Sequence, residues 1–150
     1  GRDVLVSHFD VEKRFIKSGK PYKKRNFELD YVCSLWNKSV NSYWSLSQNP
    51  AFKGRVVNLM YEELLHHPQR ELTRVCNEIG LELESEMLMP QKKKVQDSPL
   101  KIDDIWHTEE MLNANFNTSK IGRWKEQLGF FERRKAEKLM QENLSKLNYL

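Results

Sequence analysis

Arg55-Val-Val-Asn-Leu-Met-Tyr61 is the segment of this 150-residue sequence with the composition of a strand. It is β-branched and largely apolar, preceded by an Asn49-Pro50 break and followed by a turn through Glu62 to His67. An apolar run without polar alternation suits a strand covered on both faces. Such a strand needs neighbours on its edges, because its own N–H and C=O groups must find partners. The other strand-like run is the short Val4-Leu5-Val6. One or two strands do not make a sheet. The pattern therefore predicts one partial α/β domain over residues 1–150, cut at its N-terminus, whose remaining strands lie elsewhere.

The other segments read as helices and loops. Leu29, Val32, Cys33, Trp36, Val40, Tyr43 and Trp44 recur at helical spacing and predict a helix over 27–46 with a wide buried face. The Gly/Pro/Lys-rich stretch 18–26 before it reads as a loop. Pro68 suits the first turn of a second helix, Leu72, Val75, Cys76 and Ile79 form its apolar stripe, and Gly80 suits its C-terminal cap. Residues 84–120 are irregular, with Pro90, Lys92-Lys93-Lys94, Pro99 and the Asn-rich stretch Asn113 to Asn117. Long irregular segments in small domains are candidates for functional loops or lids. From about Trp124 to Leu147 the composition is strongly helical.

Charge and cysteine usage narrow the function classes. Twenty-five Lys and Arg against 21 Asp and Glu leave a net charge of +4, which favours an anionic partner: nucleic acid, a phosphorylated cofactor or an acidic polysaccharide. No apolar run approaches the roughly 18 residues of a membrane span, and no signal peptide opens the sequence. Cys33 and Cys76 lie at apolar helical positions with no CxxC pattern, so both read as buried thiols, with no disulfide framework and no metal site. His66-His67 lacks a third ligand for zinc. His8 and His107 have no visible acid–base partners, and no nucleophile constellation supports a triad enzyme. The runs Lys23-Lys24-Arg25 and Lys92-Lys93-Lys94 read as solvated surface, the second gaining interest if the substrate is an acidic glycan.

Three short motifs follow one another along the chain: Gly1-Arg2-Asp3-Val4-Leu5-Val6-Ser7, then Val57-Asn58-Leu59-Met60-Tyr61-Glu62-Glu63-Leu64, then Ser119-Lys120-Ile121-Gly122-Arg123-Trp124. In that order they resemble motifs of the sulfotransferase family that uses 3′-phosphoadenosine 5′-phosphosulfate (PAPS). The first is similar to the tail of the 3′-phosphate motif, R-[DN]-[PG]-[RK]-D-V-x-V-S. The second resembles the strand ending in Y-E-[DE]-L, followed as in the family by a Pro and a helix ending in Ile79-Gly80-Leu81. The third is similar to the late glycine motif S-x-x-G-R-W of bacterial-type members. The resemblance covers nearly the whole chain and points to the C-terminal half of the domain, in the bacterial or Golgi-type branch. The family's phosphosulfate loop, the first Arg of the 3′-phosphate motif and the usual catalytic base are not among these residues. Asn117-Thr118-Ser119 stands where the cytosolic branch has R-K-G, and the nearest cation is Lys120.

The resemblance implies an α/β, P-loop-NTPase-like three-layer fold, of which this chain is the helix-rich portion with one or two strands of the parallel sheet. It implies transfer of a sulfuryl group from PAPS to a hydroxyl or amine of a small-molecule or glycan acceptor, with no metal. Ser7, where the first strand-like run opens, takes the 3′-phosphate. Tyr61, at the carboxyl end of the central strand, meets adenine. Ser119, Lys120, Gly122 and Arg123 form a late phosphate loop, with Trp124 as its anchor. The ordinary alternatives are an N-cap serine, a tyrosine packed under a loop and a solvated arginine in a first helical turn. Two other readings stay open: a basic helical interaction module, and a nucleotide-kinase-like P-loop protein. No helix-turn-helix or RNP-type pattern favours nucleic acid. A homodimer is allowed, and the compartment is open, with the cytoplasm ahead of the Golgi lumen. The isolated 150 residues are expected to be inactive.

Overall fold

The computed structural model of the protein describes residues 1–89, 105–106 and 116–150. Among them the α-helices are α1 (Arg2–Ser18), α2 (Leu29–Gln48), α3 (Tyr61–His66), α4 (Pro68–Ile79), α5 (Trp124–Gln127) and α6 (Phe130–Lys146). Contacts divide the chain into two units, Gly1–Ser45 with Ser119–Leu150, and Leu46–Thr118. No described helix is long and apolar enough to cross a membrane.

The core of the first unit joins α1, α2 and α6. Leu5 and Val6 of α1, Val32 and Cys33 of α2, Leu128, and Ala136, Met140 and Leu144 of α6 are buried together, with Phe9, Trp36, Trp124 and Tyr149 packed against them. This core corrects the strand-like reading of Val4-Leu5-Val6. Leu5 and Val6 are 0% and 2% exposed on a helix, so burial against two other helices overrides the β-propensity of a three-residue run. Asp3 in the first turn and Lys17 in the last also suit the helix dipole. Helix α2 matches its expected stripe, shifted by two residues at each end. The expected helix from Trp124 to Leu147 is interrupted: Leu128 turns extended to enter the core, and the Gly129 N–H donates to Glu132 Oε2 at 2.8 Å as α6 restarts.

In the second unit, residues 56–60 run without regular structure into α3. They are not a ladder strand, and no strand occurs among the described residues. A ladder needs a second chain segment; here the Asn58 carbonyl accepts instead from Arg74 Nη2 at 2.6 Å. Helix α4 carries Pro68 in its first turn, as expected, and ends at Gly80 in the left-handed conformation (φ 76°), where a side chain would be strained. Cys76 is buried on its inner face, but Ile79, expected in the stripe, is 48% exposed. Glu71 is buried on the same helix and lies between Arg70 and Arg74, which both donate to it. These bonds outweigh the burial that would raise its carboxyl, the Arg74 bond most strongly, and hold it below the usual range. Both cysteines are free thiols and both are buried.

Candidate functional site

Helix α1 gives the candidate site its frame. Asp3, Ser7 and Asp10 are spaced four and three residues apart, so they share one face of the helix. The late glycine loop rests on that face. Asp3 Oδ2 accepts the Gly122 N–H at 2.8 Å and Asp3 Oδ1 accepts the Trp124 N–H at 3.0 Å. Asp10 pairs with Arg123 Nη2, which also donates to Gln127 Oε1 at 3.1 Å. Burial pushes the Asp10 carboxyl up, but the Arg123 hydrogen bond and the charges of Arg123 and Lys13 outweigh it, and the net shift is downward. Gly122 sits at φ 79°, and a Cβ there would meet no atom within 4 Å. Glycine is therefore required by the turn and not by crowding.

Behind this loop, Arg2 clamps the anchor. Its guanidinium lies 3.8 Å from the centre of the Trp124 ring, while Nη1 donates to Glu137 Oε1 and Nη2 to the Tyr149 carbonyl, each at 2.8 Å. Trp124 is thus an anchor, as expected.

The expected residues are distributed as follows. Ser7 lies within α1, not at the mouth of a strand, and is exposed on the face that carries the loop. It is not an N-cap serine, since Gly1 holds that position. Gly122 and Arg123 are brought to the same face. Ser119 and Lys120, both exposed, close the 3-10 turn Thr118–Lys120 just before it. Tyr61 belongs to the other unit, where it opens α3 and is 52% exposed. The run Lys92–Lys94 and His107 lie outside the described residues. Sequence reasoning missed Asp3 and Asp10, although their spacing around Ser7 was visible in the sequence.

This group has the donors a nucleotide phosphate requires: the exposed hydroxyls of Ser7 and Ser119 and the ammonium of Lys120. Asp3 and Asp10 would repel an anion if bare, but each is already engaged by donors of the loop. The Gly122 N–H and Arg123 Nη2 hold the loop in place.

Comparison with known proteins agrees with the motif order. A family model described as the sulfotransferase domain matches residues 1–148, so the chain belongs to the sulfotransferase family. A zebrafish (Danio rerio) protein, cytosolic sulfotransferase 1, is 23% identical over 154 residues, an alignment covering 95% of this chain and 50% of the relative. The chain thus spans about half the length of that relative. No solved structure matches it significantly.

Proposed function

We propose that this chain forms the 3′-phosphate and adenine side of a PAPS-dependent sulfotransferase, in a protein whose whole domain has the α/β, P-loop-NTPase-like three-layer fold. Family membership supports this reading. The observation that carries it is the seating of Gly122 and Arg123, through Asp3 and Asp10, on the face of α1 that carries Ser7, because it joins the first and third motifs at a single place. PAPS when bound supplies an activated sulfuryl group with the adenosine 3′,5′-diphosphate as leaving group. The work of this chain is to bind and orient that diphosphate half, as transfer chemistry of this kind rests on positioning and electrostatic stabilisation. Ser7 and Lys120 hold the 3′-phosphate, and Tyr61 meets the adenine. The acceptor is a hydroxyl or amine of a small molecule or glycan, and the motif S-x-x-G-R-W supports the bacterial or Golgi-type branch. By themselves these 150 residues turn over no substrate, having neither the phosphosulfate loop nor the base.

Calorimetric titration of the protein with 3′-phosphoadenosine 5′-phosphate and with adenosine 5′-phosphate tests the reading. A hydrogen bond to a charged group is worth about 1.5–3 kcal/mol, so Ser7→Ala weakens the first ligand by about 10- to 100-fold and leaves the second unchanged. Tyr61→Ala weakens both alike, since both carry adenine. Equal weakening of the two nucleotides by Ser7→Ala overturns the role of this serine. No effect of either variant overturns the nucleotide site in favour of a basic interaction module.

A further inference from the structure

Residues 13–25 hold Lys13, Arg14, Lys17, Lys20, Lys23, Lys24 and Arg25 and no acid at all, so the excess positive charge of the chain comes from this one segment and the remainder is net acidic. Several cations of the other elements are paired. Arg2 meets Glu137, Arg70 meets Glu63 and Glu71, Arg74 meets Glu71 and Glu78, Arg123 meets Asp10, Lys135 meets Asp30 and Lys146 meets Glu142. By contrast, Lys17, Lys20, Lys23, Lys24 and Arg25 are all exposed, and their side chains make no ion pair among the described residues. The pairs formed by Asp10 and Asp30, and the Glu12–Tyr22 hydrogen bond, involve none of these five cations. Asp10 is held by Arg123 and Lys13, Asp30 by Lys135, and Glu12 accepts from the Tyr22 hydroxyl.

The backbone that carries these cations is held by ring packing. Phe15 of α1 stacks on Tyr22 at 5.6 Å, and Phe27, which is buried, contacts both rings at 5.8 and 5.6 Å. This aromatic knot folds the loop back onto the last turns of α1, and a 3-10 turn over Lys24–Phe27 completes it. Less backbone freedom is then lost when an anion docks. Lys17 lies ten residues beyond Ser7, about 15 Å along the helix axis, so the patch is separate from the nucleotide residues.

We propose that this patch is a docking surface for an acidic polysaccharide, a chain of repeating carboxylate and sulfate groups. Five exposed cations within nine residues of sequence suit repeated charges along an extended chain; a single phosphate would call for a convergent, buried set of donors. A membrane surface fits less well, because the aromatic rings are turned into the knot and Ile16 is the lone strongly exposed apolar side chain of the segment. Single-stranded nucleic acid fits less well for a related reason: the ring faces pack on one another and offer no platform for bases. The proposal is independent of the nucleotide reading.

The test is binding of a heparin-derived decasaccharide to the whole protein, with poly(U) RNA and phosphatidylserine vesicles as comparison probes. The variant Lys23→Glu/Lys24→Glu/Arg25→Glu binds the decasaccharide at least about tenfold more weakly, and the affinity of the parent falls steeply with salt. The control Lys38→Glu/Lys53→Glu/Lys138→Glu makes the same change in net charge at exposed cations on other elements and retains more than half of the affinity. Should the acidic triple variant lose its helical signal, the alanine triple variant takes its place and weakens binding in the same order. Equal losses in variant and control, or tighter binding of RNA or vesicles than of the decasaccharide, overturn the proposal. Nucleotide titrations of the same variants stay unchanged, which separates this result from the fate of the sulfotransferase site.

Discussion

The Asp3 carboxylate accepts the backbone N–H of Gly122 at 2.8 Å, across 119 residues of sequence. Its second oxygen takes the Trp124 N–H, so one side chain of α1 satisfies donors on both sides of Arg123. A charged acceptor facing two backbone donors does what an N-cap does for a helix, here at the entry to α5. Asp3→Ala leaves both donors without their acceptor and is expected to destabilise the first unit by about 2–3 kcal/mol. Asp3→Asn, which keeps one acceptor, falls between. Urea melts followed by tryptophan fluorescence measure both, and an alanine variant as stable as the parent would show that the loop does not depend on this contact.

Two residues of α6 give a sharp contrast in packing. Leu144 is 0% exposed in the core, whereas Phe131 is 84% exposed. Leu144→Ala leaves a cavity among Leu5, Val6 and Trp36 neighbours and costs about 2–5 kcal/mol. Phe131→Ala stays within about 0.5 kcal/mol. Equal effects in denaturant melts would contradict the described core.

Acid stability is expected to fall in two stages. Burial lowers the basicity of His8 from its ordinary 6.5, partly offset by a backbone hydrogen bond with Asn26. The unfolded chain therefore takes up that proton first, and stability declines as pH falls below about 6.5. Asp10 is also shifted downward, from 3.8, so its contribution is present above that value and is lost as pH falls through the lower folded value. His8→Gln removes the first stage and Asp10→Asn the second. Melting temperatures recorded from pH 8 to pH 3 resolve them; a profile unchanged in both variants would place the titration in other groups.

The Cys33 thiol is pushed up to about 11, first by burial and then by the charge of Asp30, with Lys135 opposing. Thiolate is the reactive form, so Cys33 is inert at pH 8 in the folded protein. Alkylation with iodoacetamide, read by peptide mass mapping, labels it in 6 M urea and leaves it unmodified under native conditions. Rapid native labelling would mean that α2 opens readily around this residue.

What could be read from the sequence was what is local. The stripe from Leu29 to Trp44 and the Pro68 and Gly80 bracket located α2 and α4, since periodicity and end signals act within a few residues. Helix α1 was missed because Val4-Leu5-Val6 has strand propensity, and much of what buries it sits more than a hundred residues away, in α6. The break at Leu128-Gly129 escaped for the same reason: a long-range burial of one leucine ends a segment whose composition is helical throughout. At the candidate site, motif order located Ser7, Gly122 and Arg123. The two aspartates that bind them together act through hydrogen bonds over long separations, for which only the shared face of Asp3, Ser7 and Asp10 gave a hint.

Arg2 finds its partners in Glu137 and in the carbonyl of Tyr149, and Leu5 and Val6 find theirs in Met140 and Leu144. The excursion through Leu46–Thr118 that separates these groups adds little to the equilibrium cost of closure, which grows only logarithmically with loop length. Its effect falls on timing. At the usual pace of protein synthesis, about 5–20 residues per second, α1 leaves the ribosome many seconds before α6 exists. Throughout that interval its apolar face has α2 but not α6 to cover it, and the first unit stays incomplete. The nascent chain is a natural client for a holding chaperone until α6 emerges.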